Sequence, residues 1–286
     1  MKKSRAFGFN IIFAVYLAAF FIGISLFMIF SELHIFWRIL IGDAGATVFV
    51  YLAGVVLGNA SVYDPYWSVA PVVVFTGVAL AQGNAGAGIY LLLLAVWYWG
   101  VRLTYNWAYT FSNLGKQDWR YDQFKEKFPR IFQLISFCGI NMFPTIVVFG
   151  CMLPGVVFLE NSAFNAITVL GFVVCAASAT LQLCSDLQMH KFRRENPGAG
   201  KLIRRGLWKH SRHPNYLGEI TMWWGVYIFM LSAAPQMWYL GIGPLVNTLM
   251  FMFISIPLAD KRNRNIRPGF DIYYKETRSL LPLKKK

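Results

Sequence analysis

Residues Phe9–Phe30 read FNIIFAVYLAAFFIGISLFMIF, a run without one charged side chain. A helix needs about 20 such residues to cross the hydrocarbon core of a bilayer. The run follows Met1-Lys2-Lys3-Ser4-Arg5, which has the basic character of a secretory leader. It is longer than a leader's apolar core and no small-x-small cleavage site follows, so it is expected to stay as an anchor. Working outward, comparable stretches recur at about 44–62, 67–82, 86–108, 131–159, 164–187, 215–233 and 237–258. The third span is short and carries Pro71, and the fifth carries Pro144 and Pro154, which should kink or break it. The chain is 57% hydrophobic, 17% aromatic and 14% charged, with mean hydropathy +0.47. A soluble domain carries about 25% charge, so a soluble fold is excluded, and so is disorder. The expectation is an all-α polytopic membrane protein of eight spans, or seven if two short ones form one re-entrant element.

Charge supports that count. The net charge is +14 from 27 Lys and Arg against 13 Asp and Glu. With an internal N-terminus, segments 1–8, 63–66, 109–130, 188–214 and 259–286 face the cytoplasm and hold every Lys and Arg except Arg38 and Arg102. This asymmetry predicts that both termini are cytoplasmic. It also explains the basic balance without nucleic acid. Lys284-Lys285-Lys286 reads as a lipid-facing tail. Cys138, Cys151, Cys175 and Cys184 all lie in apolar stretches and form no C-x-x-C pair, so they read as small buried hydrophobes. His210 and His213 lack further ligands for a metal. Gly83-Asn84-Ala85-Gly86 and Pro197-Gly198-Ala199-Gly200-Lys201 match neither a dinucleotide fingerprint nor a phosphate loop. Nothing requires an oligomer. The chain reads as one domain over 1–286, with 1–163 walling a lipid pocket and 164–286 carrying most of the polar motifs.

Four constellations could carry chemistry. Asp64 is a lone carboxylate between two spans, flanked by Tyr63, Tyr66 and Trp67, and suits a general acid or its orienting partner. On the fourth span Tyr98, Arg102, Tyr105 and Tyr109 share a helical face, with Asn106 beside them. An intramembrane Arg calls for an anionic partner or a polar cavity, and a tyrosine there could donate a proton. Gln182, Asp186, His190 and Arg193 share a face at the end of the sixth span. The densest segment is Arg204-Arg205 through Arg212-His213-Pro214-Asn215-Tyr216-Leu217-Gly218-Glu219. Pro214 suits a first helical position, so Arg212, His213 and the helix start could hold an anion. Glu219, just inside the membrane, needs a proton or a donor. After the last span come Arg262, Arg264, Arg267, Tyr273 and Tyr274, a mixture that fits a lid over a charged cofactor.

Arg212-His213-Pro214-Asn215-Tyr216-Leu217-Gly218-Glu219 resembles the R-H-P-N-Y-x-G-E signature of membrane sterol and steroid reductases. Tyr273-Tyr274 through Leu280-Leu281-Pro282 resembles the tail of the steroid 5α-reductase C-terminal domain. The likeness covers about 170–286 and is greatest to the largely bacterial branch of that superfamily. Upstream, Asp64 and Pro71 are similar to the family's Glu and Pro spacing, with Asp in place of Glu. The resemblance implies NADPH-dependent reduction of an activated C=C bond in a steroid, sterol or other membrane lipid. It implies cofactor contacts from Gln182, Asp186, Arg193, Arg204, Arg212, His213, Asn215, Tyr216, Glu219, Arg262, Arg264, Tyr273 and Tyr274. Tyr273 would close over the cofactor. Asp64 and Tyr98 would polarise the enone carbonyl, with Trp67, Arg102 and Tyr105 lining the substrate side. The location implied is a bacterial inner membrane or the endoplasmic reticulum. The R-H-P-x-Y-x-G element is also similar to isoprenylcysteine carboxyl methyltransferases, whose cofactor is S-adenosylmethionine. Those carry a Glu-Glu pair where this chain has Asp260-Lys261-Arg262. A transporter or lipid-binding scaffold is the non-enzymatic alternative.

Overall fold

A computed structural model describes residues 4–83, 85–198 and 200–281. Met1–Lys3, Pro282, Lys284–Lys286 and the glycine-cluster residues Asn84 and Ala199 lie outside the described residues. Within them every regular element is helical and there is no strand. The helices are α1 (Arg5–Ile29), α2 (Ile35–Leu57), α3 (Tyr66–Gln82), α4 (Ala87–Thr110) and α5 (Trp119–Lys127). Then come α6 (Phe132–Ile135, Ser136–Met142 and Phe143–Asn161 in succession), α7 (Ala166–Glu195) and α8 (Pro214–Ala233). Last are α9 (Ile242–Met250, Phe251–Ser255 and Ile256–Ile266 in succession) and α10 (Phe270–Glu276).

Among the described residues seven helices are long and apolar enough to cross a membrane. The chain is therefore an integral multi-pass membrane protein, since only helices and closed barrels satisfy their backbone in lipid. The remaining expected span, α8, does form, with Pro214 at its first position. It falls outside those seven because Asn215 and Glu219 lower its apolar character. Its polar groups face protein, so the helix is tolerated at depth.

Contacts place the ends of the helices. Arg5 Nη2 donates to the Ala108 carbonyl at 2.8 Å, joining the start of α1 to the end of α4. The Arg262 guanidinium lies 4.3 Å from the centre of the Trp119 ring, joining the end of α9 to α5. The chain thus returns to the same end after each pair of long helices, α8 included. The basic connections collect there, at what is here termed the basic end.

The prolines act locally. Pro144 and Pro257 would each clash with the carbonyl four residues back, that of Ile140 or Phe253. Both of those residues lie in π-helical segments, Ser136–Met142 and Phe251–Ser255, whose wider turn makes room. Pro154 sits inside a continuous stretch of α6. The fifth span departs from regular α-helix in a π segment at its start, while the stretch around Pro154 stays helical.

The closest helix pair is α7 against α8, and small residues make it close. A Cβ built on Gly218 would lie 2.7 Å from the Ser178 carbonyl oxygen. One on Gly225 would lie 3.0 Å from the backbone nitrogen of Cys175. Neither backbone atom can step aside. Gly225→Leu is expected to destabilise the protein by about 1–3 kcal/mol or more through overpacking. Thermal unfolding in detergent checks this, with Gly77→Leu as the control, because a Cβ on Gly77 meets nothing within 4 Å.

Candidate functional site

Helices α4 and α7 run parallel and meet along a polar seam. The Tyr98 hydroxyl hydrogen-bonds with that of Thr180 at 3.1 Å. One helical turn on, Arg102 Nη1 donates to Asp186 Oδ2 at 2.9 Å and Nη2 donates to Gln182 Oε1. A further turn brings His190 Nε2 to Asn106 Oδ1 at 2.7 Å, and the Tyr109 ring lies 4.5 Å from the His190 ring. The spacing of four on both helices produces this ladder. Tyr105 does not join it. It is 64% exposed on the outside of α4, away from the seam.

Glu219 enters the seam from α8. It is 5% exposed, and its two oxygens accept from the indole nitrogens of Trp99 at 2.9 Å and Trp223 at 3.0 Å. It lies within electrostatic reach of Arg102. The expectation of a donor partner is thus met by two indoles inside the bundle. Glu219 belongs to this internal network rather than to a cofactor surface. Gln182, Asp186 and Arg102 are held in the same network.

At the basic end a second cluster is closed upon itself. Arg212 Nη2 donates to Asp260 Oδ2 at 2.8 Å, and His213 Nε2 pairs with Asp260 Oδ1 at 2.9 Å. Arg212 Nη1 also donates to the Thr277 carbonyl, and its guanidinium lies 4.2 Å from the Tyr274 ring centre. The Arg212 and His213 amides donate to the carbonyls of Arg278 and Ser279, each at 3.0 Å. Arg212 and His213 are therefore a latch that pins the C-terminal segment to α8 and α9, and the open anion site expected of them is absent. Tyr273 is likewise turned inward. Its hydroxyl donates to the Trp208 carbonyl, and burial raises its phenol pKa above the ordinary value. It cannot close over a ligand in this position. Arg204 pairs with Glu276, and Arg264 pairs with Asp271 at 2.7 Å, so both have internal partners. Tyr274 stands between the guanidiniums of Arg212 and Arg264.

Several arginines at this end close no salt bridge among the described residues, and three of them lie together. Arg193, Arg262 and Arg267 lie within electrostatic reach of one another, and none closes a salt bridge among the described residues. Burial, then Arg193 and Arg262, lowers the guanidinium pKa of Arg267. Asp186 is within electrostatic reach of Arg193 but is already engaged by Arg102. Such a surplus is the electrostatic mark of an anion site. Arg193 and Arg262 were expected here. Arg267 was expected only as part of the basic stretch after the last span, and it is itself the C-cap residue of α9.

Asp64 lies at the same end, immediately before α3. Its Oδ1 accepts from the Tyr121 hydroxyl at 2.8 Å. Burial, then the Asp64 charge, pushes the Tyr121 phenol well above its ordinary pKa, so Tyr121 remains a proton donor. Asp64 is not beside Tyr98. Ser68 meets Thr104 at 2.9 Å across antiparallel α3 and α4. That register sets Asp64 level with position 108, roughly 15 Å along the axis from Tyr98 at 1.5 Å per residue. One carbonyl cannot bridge the two. The hydroxyl that Asp64 meets is that of Tyr121, which no motif marks in the sequence. Trp67 packs half-buried in the apolar core. Tyr216 stacks on His213 with ring centres 5.1 Å apart and lies within electrostatic reach of Arg120 and Asp260. Asn215, one residue before it, is half-buried. A further carboxylate escaped the sequence reading: Asp43, buried in α2, accepts from the Tyr66 hydroxyl at 2.7 Å. It falls one residue outside the expected second span.

Residues 50–277 match the family described as "Protein of unknown function (DUF1295)". The chain belongs to that family. The match takes in both Asp64 with Tyr121 and the whole basic end through Thr277. The chain is also 21% identical over 258 residues to "Uncharacterized protein C594.04c" of Schizosaccharomyces pombe, a likeness covering 78% of this chain and 73% of that protein. No solved structure matches it.

The latch is testable. Asp260→Asn leaves Arg212 buried without its counter-charge, which costs about 3–5 kcal/mol for a buried pair. The expected outcome is a lower unfolding temperature and rapid proteolysis within 267–281. A variant as resistant as the parent would remove the latch role.

Proposed function

We propose that the protein is an NADPH-dependent reductase of a C=C bond conjugated to a carbonyl in a steroid, sterol or other membrane lipid. The observation that carries this is the unmatched group Arg193, Arg262 and Arg267, joined through α5 to the Asp64–Tyr121 pair. Trp119, under Arg262, and Tyr121, on Asp64, are two residues apart on that helix. A dinucleotide phosphate placed on the arginines would set a nicotinamide near the acid pair. The likeness of Arg212–Glu219 to the sterol and steroid reductase signature supports the same chemistry. The positive-inside rule turns the basic end to the cytoplasm, where the reduced dinucleotide is available.

Arg193, Arg262 and Arg267 would hold NADPH, which when bound would supply a hydride for the β-carbon of the enone. The π electrons move onto the carbonyl oxygen, making an enolate. With Asp64 protonated and donating to the Tyr121 oxygen, the Tyr121 hydroxyl would be free to donate a hydrogen bond to that oxygen as charge grows on it. A proton then adds at the α-carbon and restores the carbonyl. The net reaction consumes one NADPH and one proton per double bond. The arginines bind and orient, and the redox step is the cofactor's own.

Arg193→Ala and Arg267→Ala should each weaken NADPH binding about tenfold or more, as expected for losing a charge-assisted hydrogen bond. Binding to purified protein in nanodiscs measures this, and undiminished affinity in both variants would overturn the arginine assignment. Separately, Tyr121→Phe and Asp64→Asn should slow enone reduction about a hundredfold or more at unchanged NADPH affinity. Tyr98→Phe should be nearly neutral. Methyl transfer from S-adenosylmethionine by the same preparation, without NADPH oxidation, would replace the reductase reading with a methyltransferase.

A further inference from the structure

Asp43 is a carboxylate inside the bundle that the reaction above does not use. It is 7% exposed and lies in α2, eight residues after Ile35, so roughly 12 Å along that helix at 1.5 Å per residue. It closes no salt bridge among the described residues. A carboxylate within a membrane span is costly, and its presence marks a function by default. Its Oδ1 accepts from the Tyr66 hydroxyl at 2.7 Å, and the same hydroxyl lies 3.2 Å from the Asp43 carbonyl oxygen. If packing were all that was needed, two apolar groups of the same shape would serve as well.

Tyr66 opens α3 and follows Asp64 by two residues. Its ring stacks on that of Tyr63, just ahead of Asp64, with centres 5.3 Å apart. The Tyr63 hydroxyl meets Thr145 Oγ1 of α6 at 2.8 Å, and Thr145 meets Thr47 Oγ1 at 2.9 Å, one turn past Asp43 on α2. From α1 the Tyr16 hydroxyl donates to the Val62 carbonyl at 2.8 Å, and its ring meets that of Tyr66 edge-on. Residues 62–66 thus hang from three tyrosine hydroxyls, two anchored before Asp64 and one after it. The anchor after it is Asp43. The Asp64 carboxylate is then held toward the Tyr121 hydroxyl of α5.

We propose that Asp43 is a positioning residue for the Asp64–Tyr121 pair, acting through Tyr66. The carboxylate in α2 fixes the first residue of α3, and the stacked rings of Tyr63 and Tyr66 carry that constraint to both sides of Asp64. Asp43 itself touches neither member of the pair. Its effect on turnover rests on the reductase reading, whereas its effect on the pair's geometry does not.

The test follows the pair directly, with a fluorine label on the Tyr121 ring read by fluorine NMR in the full chain in nanodiscs. Asp64→Asn gives the reference shift for a disturbed pair. Tyr66→Phe and Asp43→Leu should each move the Tyr121 signal toward that reference, and Asp43→Asn, which keeps an acceptor for Tyr66, should restore the parent signal. Trp224→Phe removes a comparable bond, the one from its indole nitrogen to Thr248 Oγ1 at 3.0 Å, and should leave the signal in place. In the activity arm, Tyr66→Phe should lower kcat for enone reduction about tenfold or more at unchanged NADPH affinity, the loss expected of a displaced catalytic group. A parent-like Tyr121 signal in both Tyr66→Phe and Asp43→Leu would overturn the positioning role, even in a protein that reduces enones. So would an equal shift in Trp224→Phe. The expected shifts in a protein without enone reduction would uphold the positioning role and remove the reductase reading alone.

Discussion

A guanidinium buried within a helical bundle needs an anion and hydrogen-bond acceptors, and Arg102 sets that requirement here. At 6% exposure it draws Asp186 and Gln182 from α7 onto α4, and it lies within reach of Glu219 on α8. Trp99 and Trp223 complete the set by giving both Glu219 oxygens a donor. Three helices are thereby fixed in register by groups that have no other partner in an apolar setting. Apolar packing alone would allow them to slide, because lipid tails are as apolar as leucine. The glycines between α7 and α8 permit the close approach, and the polar network chooses its register.

The same reasoning separates the arginines at the basic end into two groups. Arg212 is matched by Asp260, the Thr277 carbonyl and the face of Tyr274, so it is part of the framework. Arg204 and Arg264 have exposed carboxylate partners, which add little stability. Arg193, Arg262 and Arg267 have mutual repulsion and no closed ion pair among the described residues. A folded chain tolerates that where water or a ligand supplies the missing charge. The distinction rests on pairing rather than on the number of positive charges, and a net charge of +14 could not have made it.

The spans were legible in the sequence because hydropathy is a local property, and the start of α8 was legible because Pro214 fixes it chemically. The polar ladder of Tyr98, Arg102 and Asn106 was half legible. Helical spacing gives the face but not the opposing helix, and it wrongly included Tyr105. The function of Arg212 and His213 was misread for a related reason. Their anion was expected to be a ligand, yet Asp260 lies 48 and 47 residues further along and reaches both through the fold. Tyr121 was missed because it gains its meaning from a partner on a distant element, and no spacing rule connects residues 57 positions apart such as Asp64 and Tyr121. Asp43 was lost to a boundary drawn one residue late.

Helix α5 then carries more weight than its nine residues suggest. It is too polar and too short to stand alone, and its position is imposed from outside. Asp118 caps it by accepting from the Arg120 amide at 2.8 Å, while the Asp118 amide itself donates to Ser61 Oγ at 2.8 Å. The loop before it is held where Asn59 Nδ2 donates to the Leu114 carbonyl at 2.8 Å and the Lys116 carbonyl at 3.0 Å. Trp119 then meets Arg262 from α9, and Tyr121 meets Asp64 ahead of α3. The cation-rich group and the acid pair are therefore both tied to the first turn of this helix, through residues two positions apart. On the reductase reading, the hydride donor and the donor to the carbonyl oxygen must meet one enone, and a shared support is a direct way to keep them at a constant distance.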